Sequence, residues 1–126
     1  MTGNQYKKLI ARYILSAYAE RGVKVYEEVG VGTSIIGKQR RLDLLVLTPN
    51  GDALAVECKY QDSAGTADEK IPYALQDLAS HGVPGVIVYA GIGFSEGVLH
   101  LLQSSERAAY CLPEDPLLKP TLRKTG

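Results

Sequence analysis

The chain has 126 residues, of which 45% are hydrophobic, with 14 basic and 14 acidic side chains that cancel to a net charge of zero. That is enough for one domain with one sizeable core, and the zero balance excludes strong indiscriminate binding to polyanions. No apolar run of about 18 residues is present to cross a membrane, no signal peptide opens the chain, so a cytoplasmic protein is expected, and two cysteines are too few for a cysteine-held zinc cluster.

Residues 4–21 are predicted to form a helix, with Tyr6, Leu9, Ile10, Tyr13, Ile14 and Ala17 at helical spacing and Gly22 as its stop. Val23 to Val29 alternates as a strand does, and residues 30–37 form a glycine-rich connection. Two apolar strands follow, Arg41 to Thr48 and Ala53 to Lys59, joined at Pro49-Asn50-Gly51. Residues 60–71 are polar loop and turn, in which Thr66 and Glu69 fit a capping box, and Pro72 opens a helix running to about Ser80. Val86 to Ala90 is a continuous apolar strand of the kind found in parallel pairing. Ser95 caps a helix to about Ser105, and Ala108 to Leu112 forms a last short strand. One domain is thus expected over residues 1–112, with 113–126 as a tail or arm. The order helix, three strands, helix, strand makes an α/β fold with a mixed central sheet flanked by helices.

The two middle strands carry charges that apolar strands disfavour: Asp43 in the first, Glu57 and Lys59 in the second. A buried carboxylate is costly unless it is paired or bound to a cation. The turn between the strands sets how these residues meet. Proline suits the first central position of a type I turn, asparagine the second, and glycine the left-handed residue after it, which is the three-residue hairpin loop with a bulge. In that register Thr48 opposes Asp52 and Asp43 opposes Glu57, with Lys59 on the same face; a two-residue loop would instead set Asp43 against Cys58. Two carboxylates at one point repel unless a cation lies between them. All-oxygen donors suit Mg2+, with Mn2+ as a substitute, and the backbone carbonyl of Cys58 is a candidate further ligand. Lys59 is placed to orient an attacking water and to offset charge on phosphorus. The plain alternative is a core salt bridge, which would leave one carboxylate in excess.

Asp43 followed across a hairpin by Glu57-x-Lys59, with a helix before and a helix and strand after, resembles the PD-(D/E)xK nuclease superfamily. The resemblance covers roughly residues 4–112, with Leu42 where the motif's proline would stand. It implies a restriction-endonuclease-like αβββαβ core and magnesium-dependent DNA endonuclease activity, with Asp43, Glu57 and Lys59 catalytic and Asp43, Glu57 and the Cys58 carbonyl holding the metal. Size and layout resemble the small Holliday-junction resolvases and phage nucleases, which implies action on Holliday junctions or other branched DNA by a homodimer or homotetramer, and a role in DNA recombination. Restriction- or homing-type cleavage at a sequence, and a non-catalytic DNA- or protein-binding module on the same fold, are the alternatives. Those resolvases carry an acidic residue early in the first helix; here Glu20 stands only at its far end.

Candidate DNA contacts are Thr33 and Ser34, where a hydroxyl-bearing loop is expected, Lys38, Arg40 and Arg41, Gln61, which shares the parity of Lys59, and Lys70. Residues 1–41 carry eight basic and three acidic side chains, against six and eleven in 42–126. Lys7, Lys8 and Arg12 are therefore either part of a phosphate-facing patch or a solvated helix face. Gly91-Ile-Gly-Phe-Ser-Glu-Gly97 follows a strand and opens a helix, but it lacks the dinucleotide-binding spacing, and too little chain follows for a ribose-reading strand. No nucleotide cofactor is expected, and Gly91 and Gly93 read as turn residues.

Overall fold

The computed structural model describes residues 1–33, 39–63, 71, 74 and 83–114, with backbone alone at 31–33 and 39–40. Helix α1 (Gly3–Ala17) starts one residue before the helical periodicity suggests, at a capping box the periodicity does not show. The Thr2 hydroxyl accepts from the Gln5 amide at 3.1 Å, and the Gln5 side chain accepts from the Thr2 amide at 2.8 Å, so two otherwise orphaned donors are satisfied together. The α-helix ends at Ala17, short of residue 21; the chain tightens into a 3-10 turn at Ala19–Arg21 and leaves it through Gly22 at φ 67°, the left-handed stop. The buried face is Tyr6, Lys7, Leu9, Ile10 and Ala11. Tyr13 lies outside it at 45% exposure, so the apolar stripe is narrower than expected and contains a lysine.

Among the described residues the sheet has five strands in chain order: β1 (Lys24–Thr33), β2 (Gln39–Leu47), β3 (Ala53–Tyr60), β4 (Gly85–Ala90) and β5 (Ala108–Tyr110). The first three pair antiparallel, and β3–β4 and β4–β5 pair parallel. Helix α2 (Glu96–Ser104) makes the crossover from β4 to β5 and begins at Ser95, whose hydroxyl accepts from the Val98 amide at 3.3 Å. The mixed sheet and the strand order agree with the predicted α/β layout. Of the helix predicted at 72–80 only Ala74 is described, and it is helical, as is Ile71 before it; the tail from residue 115 and the capping box at Thr66 and Glu69 lie outside the described residues.

One expectation is corrected. Residues 30–33 are not a connection but the end of β1, still paired with β2, which itself begins at Gln39. The glycine-rich stretch coincides with a register shift between Gly30 and Thr33, a place where the small residue lets a ladder slip without breaking.

Each side of the sheet has its own core. Tyr6, Ile10 and Ala11 of α1 pack on Leu44, Val46, Val56, Cys58 and Ala90. Ile87 and Tyr89, one position out of step on β4, pack with Ile71, Phe94 and Leu102 on the other side. The Tyr6 hydroxyl, fully buried, donates to the Cys111 carbonyl at 2.5 Å and ties α1 to the far edge of the sheet.

Candidate active site

The hairpin between β2 and β3 sets the site. Gly51 adopts φ 93°, its amide donates to the Thr48 carbonyl at 3.0 Å, and the Thr48 amide donates to the Asp52 carbonyl at 2.9 Å. This is the three-residue loop with a left-handed third residue. The strands accordingly pair Leu47 with Ala53, Val46 with Leu54, Leu45 with Ala55 and Leu44 with Val56. The next rung of the same register sets Asp43 across from Glu57. Because Thr48 and Asp52 form a hydrogen-bonded rung, alternation makes the Asp43 rung a non-hydrogen-bonded one, where facing side chains approach most closely.

The ladder stops at Leu44–Val56, and the Asp43 side chain takes over: its Oδ2 accepts from the Cys58 amide at 2.8 Å. On its other edge β3 uses its odd residues. The Ala55 amide donates to the Pro84 carbonyl at 2.8 Å and the Gln61 amide to the Ala90 carbonyl at 3.2 Å. The amide and carbonyl of Cys58 therefore turn toward β2, on the side of Asp43.

Glu57 and Lys59 lie beside Ile87 and Tyr89 of β4 and share their face, away from α1. Glu57 is only 6% exposed, while Asp43 and Lys59 are half-buried. Cys58, between the two charges, points to the α1 core. Burial pushes its thiol well above the usual range, and the carboxylates of Asp43 and Glu57 add to the effect. It is a free, protonated thiol.

The other candidates are placed as follows. Arg41 is exposed, and its guanidinium donates to the Glu28 carbonyl at 3.3 Å. Gln61 is buried, and its Nε2 donates to the Gly93 carbonyl at 2.9 Å, so its amide group anchors the loop after β4. Thr33 ends β1 and Arg40 lies in β2. Ser34, Lys38 and Lys70 lie outside the described residues. Lys7 and Lys8 do not form an open basic face: Lys7 is 9% exposed and bonded to Glu28 at 2.7 Å, and Lys8 is paired with Glu27 at 3.3 Å. Gly91 and Gly93 do more than turn the chain. A Cβ at Gly91 would meet the Gln61 carbonyl oxygen at 2.1 Å, and one at Gly93 the Ser63 carbonyl oxygen at 2.4 Å; backbone passes where a side chain cannot.

Glu28 was not legible as a neighbour of the site. The pairing of Glu27 with Leu44 and Val29 with Leu42 brackets it opposite Asp43. The signal that would have found it is the β1–β2 register, which no short turn specifies.

An apolar pocket lined by Ile14, Tyr18, Val23, Val46 and Leu54 lies at the turn end of the hairpin, with Thr48 and Asp52 on its rim. Its residues Val46, in β2, and Thr48, just after it, lie three and five positions along the chain from Asp43, about 10 and 16 Å.

The model of the PD-(D/E)XK nuclease superfamily domain matches residues 2–123. The chain belongs to that superfamily. Nucleases of this family typically use divalent metals and act on DNA. The match extends into the tail beyond residue 112. Among solved structures, a protein of unknown function superposes with a TM-score of 0.51 at 15% identity, over 82% of this chain and 56% of its own. A repair endonuclease from Pyrococcus abyssi gives 0.47 at 18% identity, over 87% of this chain and 47% of its own. The chain thus spans about half the length of these two structures, and its mixed five-stranded sheet with helices is consistent with the restriction-endonuclease-like fold of the superfamily. No curated protein matches it. No helix among the described residues is long and apolar enough to cross a membrane.

The donors near Asp43 fit a divalent ion of this kind. They are all oxygen: two facing carboxylates and a carbonyl turned the same way. No group of three or more His, Cys, Asp or Glu side chains able to hold an ion occurs among the described residues.

Proposed function

We infer that this chain is a magnesium-dependent DNA endonuclease, with Asp43, Glu57 and Lys59 as its catalytic residues. The observation that supports this most is the β2–β3 register, which sets Asp43 opposite the buried Glu57 and keeps Lys59 on the same face. Two carboxylates on facing strands repel each other, and a cation between them relieves that repulsion; the all-oxygen set favours Mg2+ or Mn2+. Asp43, Glu57 and the Cys58 carbonyl would hold the ion. When bound, it supplies Lewis-acid polarisation of the phosphate.

The chain's own groups do the rest. The Cys58 amide fixes one oxygen of Asp43, so that carboxylate is oriented before anything binds. Glu57 is oriented by burial. Lys59, at the half-exposed end of β3, donates to the phosphate and offsets the negative charge that develops as water attacks. The result is cleavage of the phosphodiester bond by water.

The finer reading is action on Holliday junctions or other branched DNA by a homodimer or homotetramer, which would place the chain in DNA recombination. It rests on the likeness in layout to small resolvases. In this reading residues 1–112 form the catalytic domain, and Thr33, Ser34, Lys38, Arg40, Arg41 and Lys70 contribute contacts to the DNA backbone. The test is digestion of four-way junctions, flaps, linear duplex, supercoiled plasmid and single strands with Mg2+, beside Asp43→Ala and Lys59→Ala. Wild type cuts at least one form and both variants do not. Equal behaviour of all three proteins on every form removes the nuclease reading; cutting of linear duplex and plasmid alone removes the branched-DNA reading.

A further inference from the structure

Glu28 has the one non-glycine left-handed backbone among the described residues, at φ 56° in the middle of a strand. A non-glycine residue is strained there and persists only where its surroundings hold it. Two contacts do so. The Arg41 guanidinium donates to the Glu28 carbonyl at 3.3 Å, and Lys7 Nζ is 2.7 Å from Glu28 Oε2.

The effect of this conformation is on direction. Consecutive strand residues normally point to opposite faces. Yet Glu27 and Glu28 both bind lysines of α1, Lys8 and Lys7. Glu27 faces Leu44, a residue of the α1 core, so its carboxylate belongs on that side. Glu28 faces Asp43, and an ordinary strand conformation would send its carboxylate to the face that holds Asp43 and Glu57. Positions 28, 43 and 57 would then form a row of three acidic side chains across three neighbouring strands, each about 5 Å from the next. The left-handed turn takes the first of them out of the row and gives it to a lysine that is 9% exposed.

The geometry points to the Lys7–Glu28 pair as the element that sets the divalent-cation affinity of the Asp43–Glu57 site. The inference rests on the metal reading above and extends it to two positioning residues. Lys7 lies close enough to feel both Glu28 and Asp43, and its ammonium is favoured chiefly by the hydrogen bond to Glu28. Paired, the two charges cancel and the site presents two carboxylates. Without Lys7, the Glu28 carboxylate is an uncompensated negative charge one strand from the ion. Without Glu28, Lys7 is an uncompensated positive charge beside it.

The test is calorimetric titration of Mn2+ into the full chain without DNA, for wild type, Lys7→Met, Glu28→Gln, the double variant and Asp43→Asn. Lys7→Met binds about threefold to tenfold tighter, and Glu28→Gln weaker by about the same factor. The double variant, neutral again, returns to within about twofold of wild type. Unchanged affinity in both single variants, or a shift in one direction for both, overturns the inference, since loss of packing alone has no reason to act with opposite signs. Should Lys7→Met not fold, Lys7→Arg replaces it: retained affinity there with weakened binding in Glu28→Gln supports the inference, and equal affinity in the two overturns it. Asp43→Asn separates the two levels. If it binds Mn2+ as wild type does, or wild type binds none, the metal reading itself fails and this inference with it.

Discussion

On one side of β2 and β3, Leu44, Val46, Val56 and Cys58 pack under α1, none more than 8% exposed. On the other side, one residue out of step, stand Asp43, Glu57 and Lys59. The two faces come from the same two strands and the same hairpin, yet one is apolar throughout and the other gathers charge. Cys58 belongs to both. Its thiol is held protonated in the core, while its amide binds Asp43. The contrast teaches how the charged face is built. The apolar face determines register because a one-residue slip would turn every core side chain outward, and that register then sets the carboxylates opposite each other. Stability and chemistry are therefore expected to separate at adjacent positions.

The largest expected effect tests the charged face. Lys59→Ala should lower the cleavage rate about a thousandfold, the scale on which a single group that stabilises transition-state charge acts. Its melting temperature should stay within a few degrees of wild type, because Lys59 is half-exposed at the end of its strand. Cleavage kinetics and a thermal melt on the same sample decide it. A variant that is unstable and inactive together would break the division between faces.

The apolar face is tested one residue from Asp43. Leu44 is fully buried under α1. Leu44→Ala should cost about 3 kcal/mol in urea unfolding, from lost transfer energy and the cavity left behind. Cleavage by the fraction that remains folded should be near wild type. A folded Leu44→Ala protein without activity would mean that the register does not survive loss of core packing.

Much of this division was legible in the residues. Pro49-Asn50-Gly51 specifies its turn chemically, so the facing of Asp43 and Glu57 could be counted from it, and the structure has that register. The run Val86 to Ala90 reads as a central parallel strand, which β4 is, and Ser95 reads as a cap. The parts not legible have physical reasons. Lys7 looked like one of several surface lysines, since helical spacing says nothing about a strand carboxylate 21 residues away that makes its burial tolerable. Glycines at 30 and 32 looked like loop, because strand propensity is low there and only pairing with β2 overrides it. Gly91 and Gly93 were recognised as turn residues, but their closeness to residues 61–63 is a tertiary fact with no local signature.

That closeness gives an intermediate test, because it joins the loop after β4 to the end of β3 that carries Lys59. Gly91 has φ 104°, and a Cβ there would lie 2.1 Å from the Gln61 carbonyl oxygen. Gly91→Ala should cost about 2 kcal/mol from backbone strain and the forced separation. Since Gln61 is two residues beyond Lys59, the cleavage rate should also fall, by a smaller factor than for Lys59→Ala. Equilibrium unfolding and cleavage rates measured together check this, and a Gly91→Ala protein with wild-type values in both would show that the loop does not brace β3.

The smallest effect lies where the two faces meet, at Lys7 of the α1 core side and Glu28 opposite Asp43. The hydrogen bond from Lys7 holds the Glu28 carboxyl below the usual carboxylate range, and the same bond holds the Lys7 ammonium above the usual lysine range. A carboxyl with a depressed value adds stability above its unfolded pKa and loses it as pH falls through the folded one; an ammonium with a raised value adds stability below its unfolded pKa and loses it as pH rises through the folded one. The pair's contribution is therefore constant from about pH 6 to 9 and shrinks below about pH 4 and above about pH 11. Its size is modest, about 0.5 kcal/mol, because the Glu28 side chain is 48% exposed and water screens it. In metal-free buffer, the stability difference between wild type and Glu28→Gln should follow that profile. A difference that grows toward acid would mean that Glu28 is held there by its backbone and Arg41 rather than by charge, and the margin between the faces would then be a matter of strand geometry alone.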